Sequence, residues 1–339
     1  MKVVILTEGS RATGYGHLTR CLSIYQAFEE KGVESVLVAH CDDRGKEILQ
    51  DVQLIGFNWL VELEKLYENI DGADLLIIDS YLAPEYIYLE LSSRVTKAIY
   101  IDDYRRIEYP KGVIINGTLG AESFGFETNS HHELLLGAKY IPIRKEFWKT
   151  PIKKNRETVQ DILITVGGHD KKNISFIVLD IMLHEFQDMS YTLVMGSGIN
   201  NSSIYKYSKE KNIKILHSLA TPSMLDLMLK CDVAISAAGQ TLYELARVGV
   251  PTIAIGVVEN QQNNLMGWVK NKFILDSLWF DDRDFNKKII SSFNSTMMKN
   301  HREIILKTMP TLVDGQGARR IVSYLLELNK NDIKTSKIG

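Results

Sequence analysis

Short runs that are apolar at nearly every position recur along the chain, and stretches of helical period separate them. In the first half these runs are residues 3–6, 35–39, 75–79, 98–102 and 113–116, and the last three end in Asp79, Asp102 and Asn116. Apolar side chains on both faces suit strands of a parallel sheet that is covered on both sides. Residues 18–31 follow the first run with amphipathic helical spacing and stop at Gly32. The cycle restarts near residue 160 with runs at 161–166, 191–195, 213–216, 233–236 and 252–255, separated by helical stretches that include 223–230 and 240–248. Strand–helix alternation of this kind predicts an α/β fold of two doubly wound, Rossmann-like domains facing across a cleft, with ligands at the carboxyl ends of the strands. Residues 151–156 are polar and basic without periodicity, which makes them the linker. The expected division is 1–150 for the N-terminal domain and 151–328 for a nucleotide-binding C-terminal domain closed by an amphipathic helix over 313–328. A loose polar tail follows over 329–339.

Composition narrows the function classes. The 339 residues are 45 % apolar and 24 % charged, so a folded protein of two domains is expected rather than a disordered one. Forty basic against forty-two acidic residues give a net charge of −2, which supplies no footprint for nucleic acid or an anionic membrane. No apolar run approaches the length of a membrane span, and the N-terminal run is too short for a signal-peptide core. Cys21, Cys41 and Cys231 are too scattered for a disulfide framework or a metal cluster and suit a reducing compartment. A cytoplasmic enzyme, monomeric or weakly homo-oligomeric, is expected.

The candidate chemistry lies in the loops after the strands. The first reads Thr7-Glu8-Gly9-Ser10-Arg11-Ala12-Thr13-Gly14-Tyr15-Gly16-His17, matching neither the dinucleotide fingerprint nor a P-loop. Gly14 and Gly16 allow backbone amides to approach a ligand, and His17 at the helix start can accept a proton from water. Asp79-Ser80-Tyr81 and Asp102-Asp103-Tyr104 put acids at two more strand ends. Such an acid can orient the histidine, bind a sugar hydroxyl or cap a helix. Asp42-Asp43 and Asp281-Asp282 suit solvated loops and His131-His132 a surface stretch, so no metal site is expected. In the second half, Gly167-Gly168-His169-Asp170 follows a strand and opens a helix. Ser236-Ala237-Ala238-Gly239-Gln240-Thr241 leads into a helix bearing Glu244, and Asn260-Gln261 follows the next strand. Small residues at a helix start present free amides to a diphosphate, and a glutamate one turn in can take a ribose diol.

Together Gly14-Tyr15-Gly16-His17, Asp79-Ser80-Tyr81, Ile101-Asp102-Asp103, Ile143-Arg144-Lys145-Glu146-Phe147, Gly167-Gly168-x-Asp170, Ser236-Ala237 with Glu244, and Asn260-Gln261 resemble the PseG/SpsG family. This family comprises UDP-sugar hydrolases of pseudaminic acid biosynthesis and spore-coat polysaccharide proteins, of the glycosyltransferase-B type. The resemblance implies a catalytic base at His17, Tyr81 beside the sugar, and UDP held by the C-terminal domain through the loops at Gly167 and Gly239. It implies inverting hydrolysis of UDP-2,4-diacetamido-2,4,6-trideoxy-β-L-altrose with no metal or cofactor. A glycosyltransferase with the same donor site is the alternative, because the same histidine can activate an acceptor hydroxyl. A non-catalytic sugar-nucleotide binder would have no use for that base.

Overall fold

Parallel pairing of the apolar runs builds two separate sheets in the computed structural model, which describes residues 1–126, 132–167, 170, 172–196, 206–207 and 210–336. The first sheet contains β1 (Val3–Gly9), β2 (Ser35–Cys41), β3 (Leu54–Gly56), β4 (Leu75–Asp79), β5 (Lys97–Ile101), β6 (Gly112–Asn116) and β7 (His132–Leu136). Their order is β3-β2-β1-β4-β5-β6-β7, all parallel. Helices α1 (Gly16–Glu30), α2 (Asp43–Ile48), α3 (Leu63–Ile70) and α4 (Glu85–Ser93) form the crossovers. Val4, Leu6, Leu76 and Ile78 are fully buried with Trp59, Leu66 and Tyr88, while α1 turns Leu18, Ile24 and Phe28 inward. Continuous apolar strands thus lie between two layers of helix, as their pattern requires.

The second sheet contains β8 (Asp161–Thr165), β9 (Ser190–Met195), β10 (Ile213–His217), β11 (Val233–Ala237), β12 (Thr252–Gly256) and β13 (Leu278–Trp279), in the order β10-β9-β8-β11-β12-β13. It is accompanied by α5 (Ile174–Glu185), α6 (Thr221–Lys230), α7 (Thr241–Val248), α8 (Gln262–Lys270), α9 (Phe285–Thr296) and α10 (Lys299–Leu312). In each sheet the chain winds outward in both directions from its first strand. The switch points fall between β1 and β4 and between β8 and β11, where α/β proteins of this topology bind ligands.

The compact units are residues 1–145 with 315–339, and residues 146–314. The last helix, α11 (Gly317–Ser336), therefore departs from the sequence-based boundary that places 313–328 in the second domain. It packs on α1, with Ile321, Val322 and Leu325 fully buried. Gly317 starts it against residue 141: a Cβ there would lie 2.0 Å from the Ile141 carbonyl oxygen, so only glycine permits the approach. The expected tail is corrected as well, since the helix runs on to Ser336. Asn329 takes the next place in the buried stripe after Ile321 and Leu325, its Nδ2 donating to Met1 Sδ at 3.2 Å. A polar residue in that position breaks the apolar pattern without breaking the helix.

Candidate active site

The register of the first sheet assembles the site. Thr7 of β1 lies beside Asp79 of β4, so the loops after both strands open at one switch point. Gly14 adopts a left-handed φ of +86° and exchanges two backbone hydrogen bonds with Ser10, which folds the glycine loop back before α1 starts at Gly16. Asp42 holds the outside of this loop, accepting from the Arg11 amide at 2.7 Å and the Tyr15 hydroxyl at 3.2 Å. His17 then falls in the first turn of α1, with 11 % of its side chain exposed.

His17 Nδ1 lies 2.6 Å from Asp79 Oδ1. Asp79 is fully buried and is gripped by Arg20, whose Nε donates to Oδ2 at 2.5 Å and Nη2 to Oδ1 at 2.6 Å. Burial alone would raise the Asp79 carboxyl, but Arg20 and His17 outweigh it and hold the group well below the usual carboxylate range. An ionised Asp79 has no proton to donate, so Nδ1 must carry the hydrogen of this bond, and in the neutral ring the nitrogen left to accept a proton is Nε2. Arg20 also bridges to the next strand end, with Nη1 donating to both oxygens of Asp103 at 2.8 and 2.7 Å. Asp103 in turn accepts from the Tyr81 hydroxyl. Burial and then the Asp103 charge push the Tyr81 phenol well up, so it stays protonated as the donor. The His17 and Tyr81 rings meet edge to face with centroids 4.3 Å apart.

The structure thus brings His17, Asp79 and Tyr81 together as the sequence pattern suggests, and adds Arg20, Asp103 and Glu8. Arg20 had a legible signal, because three residues beyond His17 on a helix is the same face. Glu8 is 2 % exposed and its Oε1 accepts from Ser80 Oγ and the Tyr81 amide at 2.8 Å each and from the Leu82 amide at 3.2 Å, fixing the turn that carries Tyr81. Burial pushes its carboxyl up, and Oε2 finds no partner. Asp102 caps no helix but ties the turn after β5: at 1 % exposure it accepts from the amides of Tyr104 at 3.0 Å and Arg106 at 2.8 Å. His132 lies in β7 with Nε2 3.0 Å from the carbonyls of Tyr109 and Pro110, and His131 lies outside the described residues.

In the second unit the candidate residues separate into structural and available groups. Asp170 is 5 % exposed and accepts from the amides of Ile174 at 2.7 Å and Ser175 at 2.8 Å. It is therefore the resident anion at the start of α5 and leaves those amides none to offer a ligand. Asp170→Ala is expected to lower stability by about 1 kcal/mol, the weight of a helix N-terminal cap, read as a fall in the urea midpoint. Gly167 is exposed with φ +90°, while Gly168 and His169 lie outside the described residues. At α7 the Leu242 and Tyr243 amides return to the Gly239 and Gln240 carbonyls, and among the described residues the Thr241 amide has no acceptor. A Cβ on Gly239 would meet nothing within 4 Å, so a ligand can come close to the backbone there. Ser236 is buried and donates to the Ala237 carbonyl at 3.1 Å, and Glu244 is buried at 2 % exposure in the first turn of α7. Asn260 is exposed, and Gln261 accepts the Val257 amide at 2.8 Å through Oε1. Among the described residues no three His, Cys, Asp or Glu side chains converge as metal ligands, and no helix is long and apolar enough to cross a membrane.

Comparison with known proteins bears out the resemblance carried by the motifs, although no family model matches the chain. It is 28 % identical over 268 residues to a Helicobacter pylori protein named pseudaminic acid cytidylyltransferase and UDP-2,4-diacetamido-2,4,6-trideoxy-beta-L-altropyranose hydrolase. It is 24 % identical to the spore coat polysaccharide biosynthesis protein SpsG of Bacillus subtilis, covering 98 % of this chain and 100 % of that one. It is also 24 % identical to the UDP-2,4-diacetamido-2,4,6-trideoxy-beta-L-altropyranose hydrolase of Campylobacter jejuni, covering 80 % of this chain and 97 % of that one. The Helicobacter match takes in 77 % of this chain, which spans only about half of that relative, 45 % of its length. Among solved structures, the glycotransferase of kitacinnamycin superposes with a TM-score of 0.68 at 13 % identity, covering 97 % of this chain and 98 % of that one. Spinosyn rhamnosyltransferase SpnG complexed with thymidine diphosphate gives 0.66 at 11 % identity, covering 96 % and 100 %. At these identities the likeness shows the fold, which is of the glycosyltransferase-B type with two Rossmann-like units.

Proposed function

We propose that the protein hydrolyses a UDP-activated 2,4-diacetamido-2,4,6-trideoxyhexose to UDP and the free sugar, in the biosynthesis of a pseudaminic-type nonulosonic acid or of a surface polysaccharide. The observation that carries this reading is His17 with its Nδ1–H committed to the buried Asp79, which leaves Nε2 as a base of fixed orientation. Nε2 takes one proton from water, and the water oxygen forms its bond to the anomeric carbon from the face opposite the nucleotide. The anomeric C–O bond breaks, and its electron pair leaves on the β-phosphate oxygen of UDP, so the centre inverts. UDP is a good leaving group, and orienting and activating the water is the larger demand. The diphosphate is taken by the start of α7, where the Thr241 amide, without an acceptor among the described residues, and the open approach at Gly239 coincide with the positive end of the helix. Gly167, Gln240, Asn260 and Gln261 border the nucleotide in this reading, and Tyr81 lies beside the sugar.

The relatives support the hydrolase half of this chemistry. The Campylobacter protein, matched over 97 % of its length, is named for the hydrolase alone, whereas the Helicobacter protein, matched over 45 %, carries a second activity in its name. A glycosyltransferase is the second reading, favoured by the enzymes that share the fold. We place the reaction in the cytoplasm, in keeping with three unpaired cysteines.

Incubation with a panel of UDP- and CMP-sugars and no acceptor tests the proposal. UDP release from the diacetamido sugar is expected, at the same rate in EDTA as in magnesium. Release that begins only when an acceptor is added would assign the transferase. Activity lost in EDTA and restored by magnesium or manganese would reopen Asp102 and Asp103 as metal ligands.

A further inference from the structure

His17, Asp79, Arg20, Asp103 and Tyr81 form one continuous chain of hydrogen bonds, and its charges do not cancel. Arg20 places two of its bonds on Asp79 and two on Asp103. One guanidinium thus serves two carboxylates, and with a neutral imidazole the cluster holds one surplus negative charge. Arg20 spends its charge close to His17, its Nη2 standing 3.0 Å from Nδ1. Asp79 alone, already shared with Arg20, is therefore a weak counter-charge for an imidazolium.

We propose that Asp103, which does not touch His17, is a positioning residue whose charge balances the imidazolium formed when His17 takes the proton from water. The inference rests on the reading of His17 as the base. Before the transfer the chain holds Asp79, Asp103 and Arg20 as ions and sums to one negative charge. Afterwards the proton sits on Nε2 and the sum is zero. Groups buried in a medium less polar than water favour the step that removes net charge. Tyr81 fits this role by donating a hydrogen bond to Asp103 from a phenol that stays protonated. The charged and titratable groups that face His17 are Asp79 from β4, Arg20 from its own helix, Tyr81 and Asp103 from the loops after β4 and β5, and Glu8 from β1. Glu8 directs Oε1 to the Ser80, Tyr81 and Leu82 donors, which leaves Asp103 as the partner joined to His17 through Arg20.

A residue that merely held Tyr81 in place would alter the rate without moving the titration of His17, and this separates the two roles. The imidazole resonances of His17 are followed by NMR against pH in the free full-length protein, so the readout needs no substrate and survives a failure of the hydrolase assignment. In Asp103→Asn the titration midpoint is expected to fall by on the order of one pH unit, the usual effect of losing a nearby opposite charge, and the acid limb of kcat/KM should move to lower pH with it. Asp103→Glu keeps the charge and Tyr81→Phe keeps the carboxylate, so both should titrate close to the wild-type midpoint. An unchanged midpoint in Asp103→Asn, or an equal shift in Tyr81→Phe, would overturn the proposal. If Asp103→Asn fails to fold by circular dichroism, Asp103→Ser carries the same expectation and the same refutation.

Discussion

His17→Ala is expected to lower kcat for UDP release by roughly 100- to 10,000-fold, the range over which a positioned general base contributes, while UDP affinity stays within about twofold of wild type. The size of the loss follows from the commitment of Nδ1 to Asp79 at 2.6 Å, which leaves Nε2 as the proton acceptor and gives no second imidazole a place in the cluster. Affinity for the nucleotide should hold because its proposed contacts lie in the other unit, at Gly239, Gln240 and Thr241. His17→Asn is the better-matched variant, since its amide can still donate to Asp79 and preserve the ordering of α1. Single-turnover kinetics with calorimetric UDP titration separates the two quantities. Wild-type turnover in either variant would remove His17 from the base role, and a parallel loss of UDP binding would make it a binding residue instead.

Much of this arrangement is legible in the sequence because its main signals are local. Apolar runs ending in an acid at Asp79 and Asp102 mark strands whose carboxyl ends face one switch point, and the glycine loop before His17 marks a strand-to-helix turn. The choice between Asp102 and Asp103 is not local. Both stand at the end of one strand, and only the fold shows that Asp102 is consumed by the amides of Tyr104 and Arg106 while Asp103 meets Arg20. The same holds for Asp170 at the start of α5, where a helix start that suits an anion already contains one. The short strands β3 and β13 are too brief for periodicity to detect, while β7 opens on His132 and Glu133 at the end of what looks like a polar surface stretch. The last helix belongs to the first unit because its buried stripe finds α1, a pairing that no window of sequence contains.

Arg20→Met should destabilise the protein by about 3–5 kcal/mol at neutral pH, the penalty for leaving buried charge uncompensated. Arg20 is 5 % exposed and Asp79 fully buried, so water cannot replace the two bonds lost between them. The methionine fills most of the same volume, which confines the loss to electrostatics rather than packing. The pH dependence identifies the cause. In the wild type the folded Asp79 carboxyl is held below its unfolded value of about 3.9, so its contribution is present above that pH and is lost as pH falls further. Without Arg20 the burial of Asp79 dominates and its folded carboxyl rises above the unfolded value. Such a group gains stability as pH falls through its raised value, because protonation removes the buried charge. Glu8 and Asp102, both raised by burial, respond in the same direction in the two proteins and largely cancel from the difference. Urea unfolding should therefore show a gap between wild type and Arg20→Met that is widest near neutral pH and narrows toward about pH 4, as Asp79 becomes protonated in the variant. The double variant Arg20→Met with Asp79→Asn should recover part of the loss at neutral pH. A gap that is independent of pH, or one left unchanged by Asp79→Asn, would show that Arg20 stabilises the site through packing and not by compensating the Asp79 charge.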